Sequence, residues 1–223
     1  MILDDENLLK EAAVTHFPTP MSPDAPKMSK EEKIVFIEER FRQILEVLGL
    51  DLNDDSLHRT PHRIAKMYVN EIFGGLDPKS FPQISLFEDN FKHSEKGNQI
   101  SMKVGFCSFC EHHFVPFMGT AYIAYLPKDK VIGLSKIPRI VRYFASRPQV
   151  QERLAAQIAD SLSILLGTPD IAVSLTAEHY CIVARGVKDA DTYATTQVLR
   201  GAFDEQGPFR ENFMESARAV DIR

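Results

Sequence analysis

The chain has 223 residues, of which 44% are hydrophobic and 26% charged, as is typical of a soluble globular protein. Its net charge of -5 argues against a broad nucleic-acid-binding surface, and its three cysteines are too few for a disulfide framework and suit a reducing cytosol. No apolar run is long enough to span a bilayer, and the acidic start lacks the basic and apolar regions of a signal peptide. We therefore expect a cytoplasmic protein that has neither a membrane nor a nucleic acid as partner.

The beginning of the chain predicts an extended segment followed by a helix. Closely spaced prolines favour a flexible segment over residues 1–29. Ser29 and Glu32 form a capping-box signature, and apolar residues recur at helical spacing after them. This pattern predicts an amphipathic helix over residues 30–48 that ends at Gly49.

A second helix is predicted to begin at Thr60 and Pro61, with the threonine as the capping residue and the proline in the first turn. Gly74 and Gly75 are expected to stop this helix. Residues 30–76 are therefore predicted to form an N-terminal helical region.

The remainder of the chain combines strand-like and helical patterns. Residues 121–125 are apolar almost throughout, as in a sheet covered on both faces, and helices are predicted over 136–145, 149–166 and 209–220. The predicted strands occupy residues 84–87, 100–106, 114–126, 171–175 and 180–184. This order indicates an α+β fold in which an antiparallel sheet is covered by two long helices, with an N-terminal helical extension.

Two short segments concentrate cysteine and histidine, namely Cys-Glu-His-His at 110–113 and His-Tyr-Cys at 179–181. Thiolate and imidazole ligands together favour Zn²⁺, with copper or iron as alternatives. Three ligands, Cys110, His113 and Cys181, would leave the fourth tetrahedral position open for water, which is the arrangement of a catalytic zinc.

Cys107 opens a second interpretation of the same residues. Cys107, Cys110 and His113 follow each other at intervals of three and could supply three ligands locally, with Cys181 as the fourth. Such a closed site would be structural. The spacing alone does not choose between the two kinds of site.

The remaining histidines of these segments, His112 and His179, are candidates for proton transfer to a molecule bound at the metal. Residues three apart cannot share a face of a regular strand, so a turn is required within 110–113 if both of its ligands bind one ion. If residues 178–184 are extended, His179 and Cys181 share a face of the strand.

A basic group at the start of the helix predicted over 136–145 could bind an anion. Ser135 precedes it, Lys136 and Arg139 share one face, and the free N–H groups of a helix start favour negative charge. Arg185 follows the second cysteine–histidine segment and is itself followed by Gly186, which permits close approach of a ligand. Together these residues could hold a polyphosphate, and a solvated helix face is the alternative.

Gln151 and Glu152 lie in the first turn of the longest predicted helix. A carboxylate at that position is stabilised by the helix dipole. It could accept hydrogen bonds from the N1–H and the exocyclic amine of a guanine, although a surface glutamate has the same pattern.

Several separate motifs resemble those of the GTP cyclohydrolase I family and occur in the family's order, over roughly residues 30–203. They are Thr-Pro-His-Arg-Ile-Ala-Lys-Met-Tyr at 60–68, Cys-Glu-His-His-Phe at 110–114, Gly-Leu-Ser-Lys-Ile at 133–137, Arg-Pro-Gln-Val-Gln-Glu-Arg-Leu at 147–154, His-Tyr-Cys at 179–181 and Ala-Arg-Gly at 184–186.

The resemblance implies a tunnelling fold for a catalytic domain over residues 77–223, assembled as a homodecamer with active sites between subunits. It implies conversion of GTP and water to formate and 7,8-dihydroneopterin triphosphate, the first step of tetrahydrofolate and pterin biosynthesis. The implied roles are zinc ligation by Cys110, His113 and Cys181; proton transfer by His112 and His179; guanine anchoring by Glu152 with Gln151; triphosphate binding by Lys136, Arg139 and Arg185; and a position near the ribose for Ser135.

The chain departs from the family pattern in two places. Cys-Ser-Phe stands at 107–109, where small polar residues are usual, and 191–196 keeps only part of a Ser/Thr-rich stretch. The alternatives are a deazapurine nitrile reductase of the same fold, which uses a cysteine nucleophile and NADPH without zinc, and a non-catalytic pterin- or nucleotide-binding module with a structural zinc. A zinc deaminase is disfavoured because its signature is missing.

Overall fold

The structure is a computed structural model that describes residues 19–89 and 98–219. The predicted flexible segment lies outside the described residues over 1–18, and residues 19–29 contain no helix or strand. No helix in the described part of the chain is both long and apolar enough to cross a membrane.

Helix α1 (Lys30–Val47) has the predicted capping box. The Ser29 hydroxyl accepts from the backbone N–H of Glu32 at 3.2 Å, and the Glu32 carboxylate accepts from the N–H of Ser29 at 2.7 Å. The chain leaves the helix through Gly49, whose φ of +78° suits glycine. The sequence pattern therefore predicted both ends of α1 to within a residue.

Helix α2 (Thr60–Met67) has Pro61 in its first turn, but the prediction of Thr60 as its capping residue was wrong. The Thr60 N–H already bonds to the carbonyl of Leu57, so the preceding turn brings Arg59 into a helical conformation and makes it the N-cap. The Thr60 hydroxyl instead accepts from the guanidinium of Arg63 at 3.1 Å.

The chain passes from α2 into a π-helical turn, Tyr68–Ile72, which ends at Phe73, one residue before the glycines expected to stop it. Two short 3₁₀ helices, Gly74–Leu76 and Pro78–Ser80, then lead towards the sheet.

Among the described residues, the main sheet has five strands in the order β5-β2-β3-β6-β7, and all neighbours are antiparallel except β5 and β2. A separate pair joins β1 to β4. The strands are β1 (Leu86–Glu88), β2 (Ile100–Cys110), β3 (Pro116–Tyr125), β4 (Lys130–Ile132), β5 (Pro148–Gln149), β6 (Ile171–His179) and β7 (Tyr193–Leu199).

The predicted strand over 180–184 was wrong, because β6 ends at His179 and the chain forms a helical turn, α5 (Tyr180–Val183). The register explains the change: His179 pairs with Phe117, and β3 begins only one residue earlier, at Pro116. Little of β3 remains for further pairing. The backbone of residues 180–183 therefore makes its hydrogen bonds within a helical turn, although its residues favour strands. Strand β7 was not predicted, because its polar residues obscure the alternation of apolar and polar residues that indicates a strand.

Two helices, α3 (Lys136–Ala145) and α4 (Gln151–Leu166), cover one face of the sheet and confirm the α+β prediction at that level. Helix α4 begins two residues later than predicted because Pro148–Gln149 pairs with the end of β2. The core between sheet and helices includes Phe117, Ile123, Phe144, Leu154, Ile158 and Leu162. Helix α6 (Pro208–Arg218) packs on the opposite face, where Phe203 and Phe213 cover Ala124 and Ala172.

Gly75 joins the N-terminal helical region to the end of α3. Its N–H donates to the carbonyl of Ser146 at 2.9 Å, and its own carbonyl accepts from Nε of the buried Arg147 at 2.9 Å. A Cβ at this position would overlap the carbonyl oxygen of Tyr143 and lie 2.7 Å from that of Ser146. The close approach of these two backbone segments therefore requires glycine.

We predict that Gly75→Ala lowers the free energy of unfolding by about 1–3 kcal/mol, because the backbone must shift to admit the methyl group. Urea unfolding of the variant and the wild type measures the change. Gly74→Ala is the matched control, since the nearest atom to its Cβ would be the carbonyl oxygen of Val69 at 3.9 Å. Equal stability of the two variants would contradict the close approach at Gly75.

Candidate functional site

The two cysteine–histidine segments meet at one edge of the sheet because of its topology. Strands β2 and β6 are both antiparallel to β3, which lies between them, so they run in the same direction. Cys110 is the last residue of β2, and Cys181 follows the end of β6 by two residues. The ligand atoms of Cys110, His113 and Cys181 lie within 4.8 Å of one another.

The turn that the spacing required is present at residues 111–113. The N–H of Phe114 donates to the carbonyl of Cys110 at 2.9 Å, and the N–H of Cys110 donates to the carbonyl of Val115 at 2.9 Å. This turn places Nδ1 of His112 3.5 Å and Nδ1 of His113 4.0 Å from the Cys110 sulfur.

Cys181 reaches the group through the helical turn α5, so the expected alternation of His179 and Cys181 along one extended strand was wrong. Both residues nevertheless point towards the same edge, because β6 delivers His179 there and α5 turns Cys181 back over it. The two cysteine–histidine segments thus meet as predicted, but through a helical turn after β6 instead of a continuous strand.

The donor set fits a thiophilic divalent cation. Ligand atoms about 2.0–2.3 Å from one zinc ion stand roughly 3.5–4 Å apart, so the three side chains need only a small movement to close on it. Burial, and then the neighbouring Cys110 thiol, raise the pKa of the Cys181 thiol. Two adjacent thiolates repel each other, and a cation between them is what would stabilise both.

Cys107 does not join this group. It is exposed and lies three residues from Cys110 on the regular strand β2, which places it on the opposite face of the sheet. The closed four-ligand site considered above therefore has no contribution from Cys107, and the three-ligand arrangement with an open position is the one that the geometry favours.

His179 is held in one orientation by Gln151. Its Nε2 lies 2.7 Å from Oε1 of Gln151, whose amide nitrogen donates to the carbonyls of Leu175 and Ala194 at 3.0 and 3.1 Å. The amide orientation is thereby fixed, so His179 donates through Nε2 and keeps Nδ1 as an acceptor. Gln151 is only 3% exposed, and its amide nitrogen and its amide oxygen both have partners in these bonds.

The environment of His179 favours its neutral form. Its ring stacks on that of Phe117, with centroids 4.7 Å apart and planes 4° from parallel. Burial lowers the pKa of His179, and the carboxylate of Glu152 opposes this effect. A neutral imidazole with a free nitrogen beside a potential metal site is suited to accept a proton.

A two-bond ion pair anchors the turn to α4. Arg153 donates to both carboxylate oxygens of Glu111, at 2.7 and 3.0 Å, and these bonds hold the pKa of Glu111 below its ordinary value. The N–H of Glu111 also donates to the carbonyl of Gln149 at 2.9 Å. Sequence reasoning missed this pair, although both residues fall within the motifs quoted, because only the fold shows that they meet.

Arg185 lies at the same edge and donates to Nε2 of His113 at 2.9 Å. This bond requires the neutral tautomer of His113 with its proton on Nδ1. Coordination of a cation through Nδ1 would shift that proton to Nε2 and release Arg185 for another acceptor. Arg185 is therefore close enough to serve a ligand bound at the cysteine–histidine group.

Ser135 and Lys136 are not brought to this edge. Lys136 follows β4, where the N–H of Ile132 bonds to the Tyr125 hydroxyl, and Tyr125 pairs with Ile100 at the start of β2. Cys110 ends the same strand, which has 11 residues and spans roughly 35 Å. Within one chain, these basic residues and the cysteine–histidine group therefore lie towards opposite ends of the sheet.

Arg139 also stands apart from the cysteine–histidine group. It lies one turn into α3 and lines a cavity of about 450 Å³ beside the π-helical turn, together with Arg142 and Glu71. The predicted site residues thus fall into two sets. The first contains Cys110, His112, His113, Gln151, Glu152, His179, Cys181 and Arg185, and the second contains Ser135, Lys136 and Arg139.

Comparison with known proteins identifies the family. The family model for GTP cyclohydrolase I matches residues 37–218. The chain belongs to the GTP cyclohydrolase I family. It is 47% identical over 220 residues to proteins named GTP cyclohydrolase 1 from Citrobacter koseri, Salmonella arizonae and Salmonella enteritidis, covering 95% of this chain and 98% of each relative. These matches confirm the resemblance and the prediction of an enzyme of this family.

We predict that Cys110→Ser lowers the affinity for Zn²⁺ by at least about 100-fold, because it removes one of the three candidate ligands and the softest type of donor. Cys107→Ser is the matched control and should bind Zn²⁺ as the wild type does. Competition with a chromophoric chelator measures both affinities. Equal losses in the two variants would favour the closed structural site.

Proposed function

We propose that this chain hydrolyses GTP to formate and 7,8-dihydroneopterin triphosphate, at a zinc site formed by Cys110, His113 and Cys181. The observation that carries the proposal is the meeting of these three side chains with His112 and His179 at one edge of the sheet, in a chain of this family. The reaction is balanced, because GTP and one water together contain all the atoms of the two products. The purine carbon C8 becomes the carbon of formate.

Zinc bound by these three residues would activate a water molecule for nucleophilic attack near neutral pH. His112 and His179 are proposed to move protons at the purine ring and at the opened intermediate. His179 would accept a proton through Nδ1, because Gln151 occupies Nε2. His112 lies beside Cys110 and would be within reach of a molecule bound at the zinc.

The remaining residues of the first set bind and orient the substrate in this proposal. Glu152 follows Gln151 in the first turn of α4, and its carboxylate would accept from the N1–H and exocyclic amine of guanine. Arg185, released from His113, would bind the triphosphate. Gln151 is better assigned to orienting His179 than to touching guanine, because it is buried and its amide nitrogen and oxygen already have partners within the chain.

Both groups of residues are proposed to meet between subunits of a homodecamer with the tunnelling fold. Lys136 and Arg139, with Ser135 near the ribose, would reach the triphosphate from a neighbouring chain. Three features support this: the separation of the two sets, the edge strand β7, which pairs only with β6 among the described residues, and exposed apolar residues along α1 such as Phe36 and Val47. A reducing cytoplasm would keep both ligand thiols available.

We predict that zinc-loaded protein incubated with GTP releases formate and the dihydropterin triphosphate in equal amounts, because one purine yields one of each. Formate assay and pterin fluorescence after oxidation follow the two products together. Cys107→Ser should give the same yields, since that residue lies on the other face of the sheet. If zinc-loaded protein releases neither product, the proposed reaction is wrong.

We predict that subunits of the inactive variants Lys136→Ala and His179→Ala regain activity when they are co-expressed and assemble together. Random mixing would give about a quarter of shared sites both intact halves. The pair His112→Ala and His179→Ala is the control, because both changes fall in the same half of the site and no mixed site is intact. Mixed assemblies of the first pair that stay inactive would refute a site built between subunits.

A further inference from the structure

Phe114 follows the cysteine–histidine turn directly and has an unusual backbone conformation. Its φ of +52° lies in the left-handed region, which a bulky side chain rarely adopts. Its N–H closes the turn by donating to the carbonyl of Cys110 at 2.9 Å. The conformation of Phe114 therefore sets where His112 and His113 point relative to Cys110.

The ring of Phe114 is held by two aromatic residues of the N-terminal helical region. Its centroid lies 5.0 Å from that of Phe73 and 6.3 Å from that of Tyr68, both in tilted arrangements. Phe73 also stacks on Tyr68 at 5.3 Å and meets the edge of Phe109, near the end of β2, at 6.2 Å. Phe73 is thus packed between Phe109 and Phe114, whose rings flank the cysteine–histidine turn.

The π-helical turn explains how two rings of one helix reach Phe114. Tyr68 begins this turn and Phe73 caps it, with the N–H of Phe73 donating to the carbonyl of Tyr68 at 3.0 Å. On an α-helix, side chains five residues apart point about 140° away from each other. The wider turn brings both to the same side, and such insertions are frequent at functional sites.

Core packing within one chain does not account for Phe114, because the residue is 47% exposed there. A half-exposed residue adds little apolar burial. Phe114 nevertheless has a strained backbone conformation beside the cysteine–histidine turn. Residues in such conformations persist where their surroundings hold them, and the surroundings here are the rings of Phe73 and Tyr68.

We propose that Phe114 is a positioning residue, whose ring is clamped by Phe73 and Tyr68 so that the left-handed turn holds His113 in ligand geometry. The inference rests on the proposed zinc site. It gives a function to the N-terminal helical region, which contacts the turn through Phe114, while Arg153 holds the turn through Glu111. Two separate contacts would thus preorganise the ligand arrangement.

The decisive variant is Phe114→Gly. Glycine adopts the same φ without strain, so the turn can still form, but no ring holds it in place. The affinity for Zn²⁺, measured by competition with a chromophoric chelator, should fall by about 10- to 100-fold, as when other groups that orient metal ligands are removed. At saturating Co²⁺, the thiolate-to-cobalt absorption and the d–d bands should shift, which a loss of general stability would not produce.

Phe114→Tyr should restore both readouts, because it keeps the ring, and the half-exposed position leaves room for a hydroxyl. Phe73→Leu tests the same contact from the other side and keeps an apolar side chain in place of the ring. It should also weaken metal binding, and combining it with Phe114→Gly should add little, because the two changes remove one contact. Phe87→Ala is the control, since it removes a ring of similar exposure, 59%, on β1, whose partner strand β4 lies towards the end of the sheet away from the cysteine–histidine turn.

Wild-type affinity and an unchanged cobalt spectrum in both Phe114→Gly and Phe73→Leu would overturn the positioning role and leave the proposed function standing. A loss of affinity in Phe87→Ala equal to that in Phe114→Gly would also overturn it, because the effect would then be general. Wild-type protein that fails to retain Zn²⁺ would overturn the proposed function and this inference together.

Discussion

The position of β3 between β2 and β6 is the constraint on which the candidate site depends. Because both neighbours are antiparallel to β3, they run in the same direction and end at the same edge of the sheet. Cys110 and His179 thus arrive together although 69 residues separate them along the chain. Neither the turn after β2 nor the helical turn after β6 could form the cysteine–histidine group without this arrangement.

The sequence predicted best those features that depend on local chemistry. Helix α3 was placed at its observed bounds, because its apolar stripe and flanking residues are unambiguous. The turn at 110–113 followed from the requirement that Cys110 and His113 serve one ion. The prediction failed at 180–184, where β-favouring residues form a helical turn because the neighbouring strand runs out, and tertiary pairing decides the outcome.

The candidate site shows the same division. Cysteine and histidine are scarce in this chain, so their clustering alone indicated the metal-binding group. The contacts between Gln151 and His179 and between Glu111 and Arg153 were not foreseeable, because 28 and 42 residues separate the partners and common residue types make both contacts. The roles of Gln151 and Arg153 can be recognised only when the fold shows which residues lie beside them.

The start of α4 shows how much of the site one helical turn can organise. Gln151 fixes His179, Glu152 stands beside the same imidazole, and Arg153 anchors the turn through Glu111, so three consecutive side chains serve three different purposes. A shift of one residue in the helix start would rotate each of them by about 100° and disconnect all three contacts. The two-residue strand β5 prevents such a shift, because its pairing with Phe109 and Cys110 ties the helix start to the strand that carries Cys110. The brief parallel pairing that breaks the otherwise antiparallel pattern of the sheet is therefore what keeps the helix and the cysteine–histidine turn in register.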